Sequence, residues 1–395
     1  MLHKNRLFTP GPTPLLPSAQ TAMASFTAHH RTADFKALFQ RVLADMKDFI
    51  GTKNDVLVLA SSGTGVMEAS VSNLTSPGDK VLVLTAGKFG ERWTGLAKAF
   101  GCNVDVLSNP YGETFSLEEI RARVTPELRA VFVQATESST GAAHDVQGIA
   151  KIVQSQGGDA LLVVDAITGL GTTHLEVDAW GVDFIIGGSQ KALMMPPGLA
   201  YCAVSERAWK RMDRTTSPRY YFDLRKERKS AAKGETAYTP ATSLFAALGA
   251  ALEFVRGLGA GDLAKGREEL VNNAQLCAEM TRAGAKALGL KLYASAPAAA
   301  LTAITSPDGL DSGKIVKEFR ESFDAVVANG QGEMKGKLFR IAHIGYYDYL
   351  DTVGILGALE HVLARVTDKT VEYGAAVRAA QQVFARSHEA ALTAR

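Results

Sequence analysis

The sequence has few cysteines, and they show no pattern. Three occur among 395 residues, at positions 102, 202 and 277. They form neither a CxxC pair nor the His/Cys spacing of a metal site. We therefore expect reduced, mostly structural thiols in a cytosolic protein, and no metal centre.

Charge of one sign and long apolar runs are also scarce. The chain has 43 Lys and Arg against 41 Asp and Glu, a net charge of +2, which argues against a dedicated nucleic-acid surface. No run reaches the ~18 consecutive apolar residues of a transmembrane helix, and the first residues lack the apolar core of a signal peptide. We expect a soluble, cytoplasmic protein that binds neither nucleic acid nor membrane.

Short apolar runs alternate with helical patterns in the first half of the chain. The runs are rich in Val and Leu, as is typical of strands buried on both faces. Strand–helix alternation predicts a mostly parallel, doubly wound α/β sheet. The seven predicted strands lie at 55–59, 80–84, 103–107, 130–134, 161–165, 183–186 and 199–204.

The pattern changes beyond residue 240. Long helical patterns at 244–256 and 261–288 precede shorter strand candidates, which predicts a smaller α+β domain. Those candidates lie at 290–293, 300–305, 325–328 and 337–341.

This organisation divides the chain into four parts. We expect an N-terminal segment that packs on the small domain or on a partner subunit, a large domain, a small domain, and a helical extension that either packs or binds a partner. The expected bounds are 1–20, 21–255, 256–366 and 367–395.

Chemistry is expected where strands end, because ligands of open α/β sheets bind beyond the carboxyl ends of the strands. The first strand leads into Gly63, Thr64 and Gly65 at the start of a helix. Such a turn offers main-chain N–H groups to a phosphate, although it has neither GxGxxG nor the lysine of a P-loop. Taken alone, a plain tight turn is about as good an interpretation.

Two further strand ends carry ionisable residues. Asp165 ends one strand, where it either meets a cationic partner or caps a helix. Lys191 follows the next strand between small residues and a Met-Met-Pro-Pro run, where loss of solvation would make its amine nucleophilic, unless it reaches solvent. A phosphate cradle, a buried acid and a desolvated lysine together match the needs of pyridoxal phosphate.

Six motifs in this order carry a resemblance to a known family. They lie at 62–69, 87–93, 137–141, 164–166, 188–191 and 339–341. From Phe8 to about Val366, the chain resembles the class V pyridoxal-phosphate aminotransferases of fold type I, in the alanine–glyoxylate and serine–pyruvate (serine–glyoxylate) group. The resemblance implies a large domain with a mostly parallel seven-stranded sheet and a small α+β domain towards the C-terminus.

The resemblance also implies roles for single residues. Lys191 would be the Schiff-base lysine and proton shuttle, and Asp165 would pair with the pyridine nitrogen. Phe89 would stack on the ring where many relatives have Trp. The remaining cofactor-binding residues would be Gly63, Thr64, Gly65, Ser138, Thr168 and Gln190, with Tyr238 and Thr239 reaching the phosphate of the neighbouring subunit in a homodimer.

Arg340 would bind the substrate α-carboxylate, since it interrupts an apolar strand and a guanidinium grips a carboxylate with two hydrogen bonds. A structural Asp or Glu partner is the alternative. The implied reaction moves an amino group from alanine or serine to glyoxylate or pyruvate. Arg31 and Arg219 are the candidates for binding a second substrate carboxylate.

Other functions stay open at this point. A donor such as aspartate, 2-aminoethylphosphonate or ureidoglycine would use the same machinery. A cysteine desulfurase is disfavoured because Cys277 lies in a helical pattern, and a nucleotide-dependent oxidoreductase because GxGxxG is missing. A non-catalytic subunit that retains the fold is the remaining alternative.

Overall fold

The computed structural model describes residues 4–367 and 370–393. Within these residues the strands are β1 (Arg6–Phe8), β2 (Asp55–Ser61), β3 (Lys80–Thr85), β4 (Asn103–Ser108), β5 (Ala130–Gln134), β6 (Thr136–Glu137), β7 (Ala142–Ala143), β8 (Leu161–Asp165), β9 (Phe184–Gly188), β10 (Gly198–Val204), β11 (Leu301–Thr305), β12 (Ala325–Asn329) and β13 (Leu338–Ala342).

The helices connect these strands and cover both sheets. They are α1 (Pro17–Ser25), α2 (Ala33–Ile50), α3 (Gly63–Leu74), α4 (Lys88–Ala99), α5 (Leu117–Arg123), α6 (Val146–Gln156), α7 (Glu206–Met212), α8 (Leu224–Ala231), α9 (Thr242–Leu258), α10 (Leu263–Ala287), α11 (Ser312–Phe323), α12 (Tyr349–Val366) and α13 (Ala375–Thr393), with a short 3₁₀ turn at Gly332–Met334.

The larger sheet contains the seven predicted strands in the order β2-β10-β9-β8-β5-β3-β4. β10 is antiparallel to both of its neighbours, and the other pairs are parallel. β2 therefore runs in the same direction as β9, β8, β5 and β3, so the carboxyl ends of these five strands lie along one edge.

Helices bury both faces of this sheet, as its apolar strands require. Alternate residues of one strand point to opposite faces: Val81 and Val83 pack with α3 and α4, and Leu82 and Leu84 pack into the cluster that contains α2, α6 and α9. The result is a three-layer α/β/α unit.

The smaller sheet has the order β1-β12-β13-β11. Its apolar face packs under α10, α11, α12 and α13. β1 is parallel to β12, so the N-terminal residues join the sheet formed late in the chain. The domain bounds expected from the sequence stay a prediction.

Local capping signals explain several helix ends. Ser116 and Glu119 form the expected capping box of α5. Asp145 caps α6 by accepting a hydrogen bond from the main-chain N–H of Gly148 at 2.8 Å. α2 ends at Gly51, whose φ of 77° is the left-handed conformation common after a helix.

Two sequence expectations need correction. The apolar segment 290–293 is not a strand, because only Leu292 makes a β-bridge, to Ile304. The last helical pattern, expected from residue 369, begins as a helix at Ala375.

The last helix packs on α10 and α12, two of the helices that cover the smaller sheet. Glu360 accepts hydrogen bonds from the main-chain N–H groups of Gly374 and Ala376 at 2.7 and 2.8 Å, which anchors the start of α13. The Tyr349 and Phe384 rings lie 4.3 Å apart. The described part of the extension thus packs on its own chain, which is one of the two alternatives expected from the sequence.

Among the described residues, no single helix is long and apolar enough to cross a membrane, although α9 and α10, bent by 82° to each other, together pass the same length and composition test.

Candidate active site

A cavity of about 310 Å³ lies at the carboxyl edge of the larger sheet. Eight of the residues singled out in the sequence line it: Gly63, Thr64, Phe89, Ser138, Asp165, Thr168, Gln190 and Lys191. Residues from five segments that are distant in sequence thus meet at one place. The strand ends bring them together, as expected for an open α/β sheet.

Lys191 lies just beyond β9 and is buried. Its Nζ donates a hydrogen bond to the main-chain oxygen of Pro10. Burial lowers the pKa of Lys191 to about 8, with Asp165 opposing the shift and Arg340 adding to it. A larger share of this amine is therefore neutral and nucleophilic near neutral pH than is usual for lysine.

Asp165 occupies the carboxyl end of β8, beside Lys191. Burial raises the pKa of its carboxyl to about 6, while a hydrogen bond from the main-chain N–H of Ile167 at 2.9 Å opposes the shift. Thr168, expected to bind the cofactor, lines the cavity and makes no hydrogen bond to this carboxylate. The turn after β8 presents the N–H of Ile167 to Asp165 instead.

The first turn of α3 forms one wall of the cavity. A Cβ atom on Gly63 would lie 2.3 Å from Cδ1 of Ile167, so glycine is needed for the helix to approach β8. The N–H groups of a first helical turn have no acceptor within the helix. Gly65 is the exception, because its N–H donates to the Ser62 oxygen at 2.9 Å. Gly65 is also not among the residues that line the cavity.

The start of α4 holds Phe89 against the cavity. The Glu137 carboxylate accepts hydrogen bonds from the main-chain N–H groups of Phe89 and Gly90 at 3.0 and 3.1 Å, and from the Ser139 hydroxyl at 2.6 Å. Ser139 in turn accepts from the N–H of Lys88. Glu137 thus fixes the orientation of α4, although the sequence reasoning gave it no role.

Arg92 is a lining residue that the sequence reasoning missed. It lies one helical turn after Phe89, and its guanidinium carbon is 4.6 Å from the centroid of the Phe89 ring. Its Nη1 donates to the Thr64 hydroxyl at 2.8 Å. The signal available in the sequence was the i,i+3 spacing of Phe89 and Arg92, which places both on one face of the helix.

Arg340 does not line the cavity itself but contacts Ser138, which does. Its guanidinium donates to the main-chain oxygens of Ser138 and Asn329, both at 2.6 Å. Burial lowers the pKa of Arg340 to about 10, and Glu137 opposes the shift. Arg340 is therefore charged at neutral pH, and within the described residues its direct partners are carbonyl oxygens rather than a carboxylate.

Tyr238 and Thr239 lie outside this cavity. The Tyr238 hydroxyl donates to the Tyr220 oxygen at 2.9 Å, and its ring stacks on Tyr221 at 5.0 Å. Arg219, a candidate for a second carboxylate, donates to the main-chain oxygen of Ser72 at 3.0 Å and holds a loop together. Arg31 is exposed and is not a lining residue.

Three of the buried polar atoms that have no hydrogen-bond partner among the described residues lie at or next to the cavity. They are Oγ1 of Thr136 and Oε1 of Gln190, both of lining residues, and Nε of Arg340, which contacts the lining residue Ser138. Such atoms are rare in native proteins unless a ligand or water satisfies them. With the first-turn amides of α3, a nucleophilic lysine and a buried acid, these residues fit pyridoxal phosphate.

Comparisons with known proteins decide the family. The model of the family described as aminotransferase class-V matches residues 13–305. The chain belongs to the class-V aminotransferase family.

Individual members of this family align over most of the chain. A serine–glyoxylate aminotransferase from Methylorubrum extorquens is 33% identical over 90% of both chains. The solved structure of a subgroup IV aspartate aminotransferase from Thermus thermophilus is 34% identical, with a TM-score of 0.85, over 92% of this chain and 100% of that one. A protein from Synechococcus sp. named soluble hydrogenase, small subunit, is 39% identical over 97% of this chain and 99% of its own; that name does not change the family.

Membership of the class-V aminotransferases establishes three of the expectations. The fold is that of the fold-type I enzymes, the protein is an aminotransferase, and its cofactor is pyridoxal phosphate. Its substrates are accordingly amino acids and keto acids.

Proposed function

We propose that the cavity at the carboxyl edge of the larger sheet is the transamination site, with Lys191 and Asp165 as its catalytic residues. The observation that carries the proposal is that a buried carboxylate at the end of β8 and a desolvated lysine just beyond the neighbouring strand β9 line one cavity. The cofactor, when bound, supplies an electron sink that stabilises negative charge at the substrate Cα.

The protein's own residues have distinct tasks in this proposal. Lys191 holds the cofactor covalently through Nζ, and its amine, once released, moves the proton on and off the substrate Cα. Asp165 keeps the ring nitrogen protonated, Phe89 covers one face of the ring, and Ser138 lies near the phenolic oxygen. Gly63, Thr64 and Gln190 bind the phosphate through amide, hydroxyl and side-chain groups, and Thr168 lines the same pocket.

Arg340 binds the α-carboxylate of both amino and keto acid. Its guanidinium is buried, charged and held by two carbonyl oxygens, and Nε has no partner in the part of the chain that the structure describes. A carboxylate that reaches this group would provide a counter-charge that its carbonyl partners do not supply. An arginine fixed in this way loses little side-chain entropy on binding.

The substrate pair that we propose is a small L-amino acid, alanine or serine, with glyoxylate or pyruvate as acceptor, in two half-reactions. The serine–glyoxylate aminotransferase among the relatives supports this pair. Within the described residues, neither Arg31 nor Arg219 is placed to hold a second carboxylate in the cavity. The relative named aspartate aminotransferase makes aspartate the second candidate donor.

We further propose a homodimer in which Tyr238 and Thr239 complete the site of the neighbouring subunit. Both residues lie outside their own chain's cavity, and Tyr220 and Tyr221 beside them are exposed. The cytoplasmic location expected from the sequence stays a prediction.

The test is an absorbance spectrum of the cofactor-loaded protein before and after L-alanine, L-serine or L-aspartate is added singly, without acceptor. Loss of the visible band with one donor, and its return with glyoxylate or pyruvate, would establish both half-reactions. Lys191→Ala is the control and should lack the band while keeping the wild-type circular dichroism spectrum. A normal band in Lys191→Ala would contradict the assignment of the lysine.

A further inference from the structure

We infer that Arg92 is a cofactor-affinity residue: it provides the positive charge that binds the phosphate group of pyridoxal phosphate. This inference rests on the proposed cofactor site and adds a residue to it. The phosphate ligands expected from the same subunit, Gly63, Thr64 and Gln190, are neutral, and so are Tyr238 and Thr239, which are expected from the neighbouring subunit. A phosphate that carries up to two negative charges would have no cationic partner among them.

Arg92 is the lining residue that can supply this charge. Arg92 and Lys191 are the cationic side chains among the described residues that line the cavity, and Lys191 is committed to the aldehyde end of the cofactor. Arg92 is half-buried and forms no ion pair with a carboxylate in the described part of the chain. Within residues 4–367 and 370–393, only one of its five N–H donors is used by a protein acceptor, Oγ1 of Thr64.

The position of Arg92 favours an anion beside it. Its guanidinium lies against Thr64 in the first turn of α3, the end at which the helix dipole is positive. A cation at this end is repelled, whereas an anion between the two is attracted by both. Arginine also matches phosphate geometry, because its planar fork can donate two parallel hydrogen bonds.

Packing gives Arg92 the orientation that this task needs. The guanidinium stacks at 4.6 Å on Phe89, and α4 itself is fixed by Glu137 and Ser139. Because the stack and the Thr64 hydrogen bond restrict the side chain, little rotational entropy remains to be lost when phosphate binds. Because Arg92 stacks on Phe89, it can also affect how Phe89 covers the cofactor ring. An experiment has to separate this effect from the binding of the phosphate.

The experiment compares the affinity for pyridoxal phosphate with that for pyridoxal, which lacks the phosphate. Cofactor-free wild-type protein, Arg92→Met and Lys98→Met are titrated with each compound, and the bound fraction is measured by equilibrium dialysis. Arg92→Met keeps an unbranched side chain over Phe89 and loses the charge. Lys98→Met removes the same charge from an exposed position of the same helix.

We expect Arg92→Met to raise the Kd for pyridoxal phosphate by about 10- to 100-fold, the effect of a hydrogen bond to a charged group, and to leave the Kd for pyridoxal unchanged. Lys98→Met should change neither value. An equal loss of affinity for both compounds would overturn the inference, since Arg92 would then act only through Phe89. Unchanged binding of pyridoxal phosphate would overturn it as well.

Two further results keep the test decisive. If Arg92→Met does not fold, as judged by circular dichroism, Arg92→Gln is titrated with the same expectation and the same contrary outcomes. A wild-type protein that binds neither compound would contradict the proposed function itself. A wild-type protein that binds both, with no phosphate-selective loss in the variants, would contradict only the role of Arg92.

Discussion

The residues at the centre of the site carry ionisation states that burial disfavours. Without a partner, a buried lysine loses its proton more readily and a buried aspartate holds it more tightly. In this protein the shifts bring the pKa of Lys191 down to about 8 and that of Asp165 up to about 6. Since the pKa of the Asp165 carboxyl lies below that of the Lys191 amine, both side chains are charged between about pH 6 and pH 8 in the cofactor-free chain.

The desolvation of Lys191 should be visible as a loss of stability. A lysine whose folded pKa is below its unfolded value of 10.5 destabilises the protein most below about pH 8, and the effect disappears as pH rises towards 10.5. At pH 7 the shift, which already includes the opposing interaction with Asp165, corresponds to about 3 kcal/mol. We therefore expect Lys191→Met to raise the Tm of the cofactor-free protein at pH 7, by an amount that shrinks at higher pH.

Thermal unfolding followed by circular dichroism at several pH values measures this effect. Lys98→Met is the control, since it removes an exposed lysine and should not change Tm. A Lys191→Met protein that is less stable than the wild type at pH 7 would show that the lysine ammonium contributes net favourable contacts.

Arg340 should act on substrate affinity for both half-reactions. Its removal leaves the substrate carboxylate without its charged partner. We therefore expect Arg340→Ala to raise KM for the amino acid and the keto acid alike, by a factor that corresponds to a loss of about 2–4 kcal/mol in binding free energy. Steady-state kinetics on the loaded protein measure the change, with the visible band as the check that the cofactor is bound. If KM stays at the wild-type value for both substrates, another group binds the carboxylate.

At the scale of elements, the start of α4 couples the site to the fold. The buried Glu137 carboxylate accepts from four donors: the main-chain N–H groups of Phe89, Gly90 and Ser139, and the Ser139 hydroxyl. Burial raises the pKa of this carboxyl, and these donors oppose the shift. Because α4 also carries Phe89 and Arg92, a change at Glu137 should reach the cofactor through two side chains.

Glu137→Gln tests this coupling. The amide NH₂ would face donors that the carboxylate accepts, so at least one N–H of the α4 start would lose its partner, with a loss in the free energy of unfolding of about 1–3 kcal/mol. We expect weaker cofactor retention together with lower stability in urea. Glu119→Gln is the matched control, because glutamine also serves in the capping box of α5 and lies far from the cavity. Wild-type retention of the cofactor in Glu137→Gln would show that α4 is held by other contacts.

The elements that sequence could predict are those whose signal is local. The apolar runs of the seven strands, the capping box at Ser116 and the Asp145 cap need no knowledge of distant residues. The segment 290–293 has the same apolar character, yet it lacks a partner along its length and makes only one bridge. An apolar run is therefore necessary for a buried strand, whereas its pairing depends on the rest of the fold.

The site residues divide in the same way. Lys191, Asp165 and Gly63 follow directly from their places at strand ends, and the structure brings them to one cavity. Glu137 and Arg92 could not be assigned, because their tasks arise from contacts between α4 and residues that are distant in sequence. Gly65 matched the motif, but its N–H is used within its own turn.

At the scale of the molecule, the N-terminal segment links the two sheets to the active site. β1 belongs to the smaller sheet, and the chain then crosses to the cavity, where the Pro10 oxygen accepts a hydrogen bond from Lys191 Nζ. The Thr13 hydroxyl donates to the main-chain oxygen of Lys191 at 3.2 Å. Gly11 lines the cavity at this crossing.

Gly11→Ala should disturb the lysine directly. A Cβ atom at Gly11 would lie 2.4 Å from Lys191 Nζ, so the lysine has to move, and we expect slower appearance of the visible band when cofactor is added to the cofactor-free protein. Gly78→Ala is the control: Gly78 also has a positive φ, of 87°, but a Cβ there meets nothing within 4 Å. Equal loading rates for Gly11→Ala and the wild type would show that the segment yields without affecting Lys191.

The last prediction concerns the assembly, because the residues of the proposed site are not all in one chain's cavity. Tyr238 is held by Tyr220 and Tyr221 on the surface of its own chain, and we propose that it acts, with Thr239, in the neighbouring subunit.

If so, a mixed dimer of Lys191→Ala and the double variant Tyr238→Ala/Thr239→Ala collects both defects in one of its two sites. In a mixed dimer one site has both defects and the other has none. Random mixing of the two inactive proteins, after unfolding and refolding together, should restore about a quarter of the wild-type activity, since half of the dimers are mixed and each has one intact site. No recovery, with mixed dimers confirmed by affinity tags, would place each complete site within one chain.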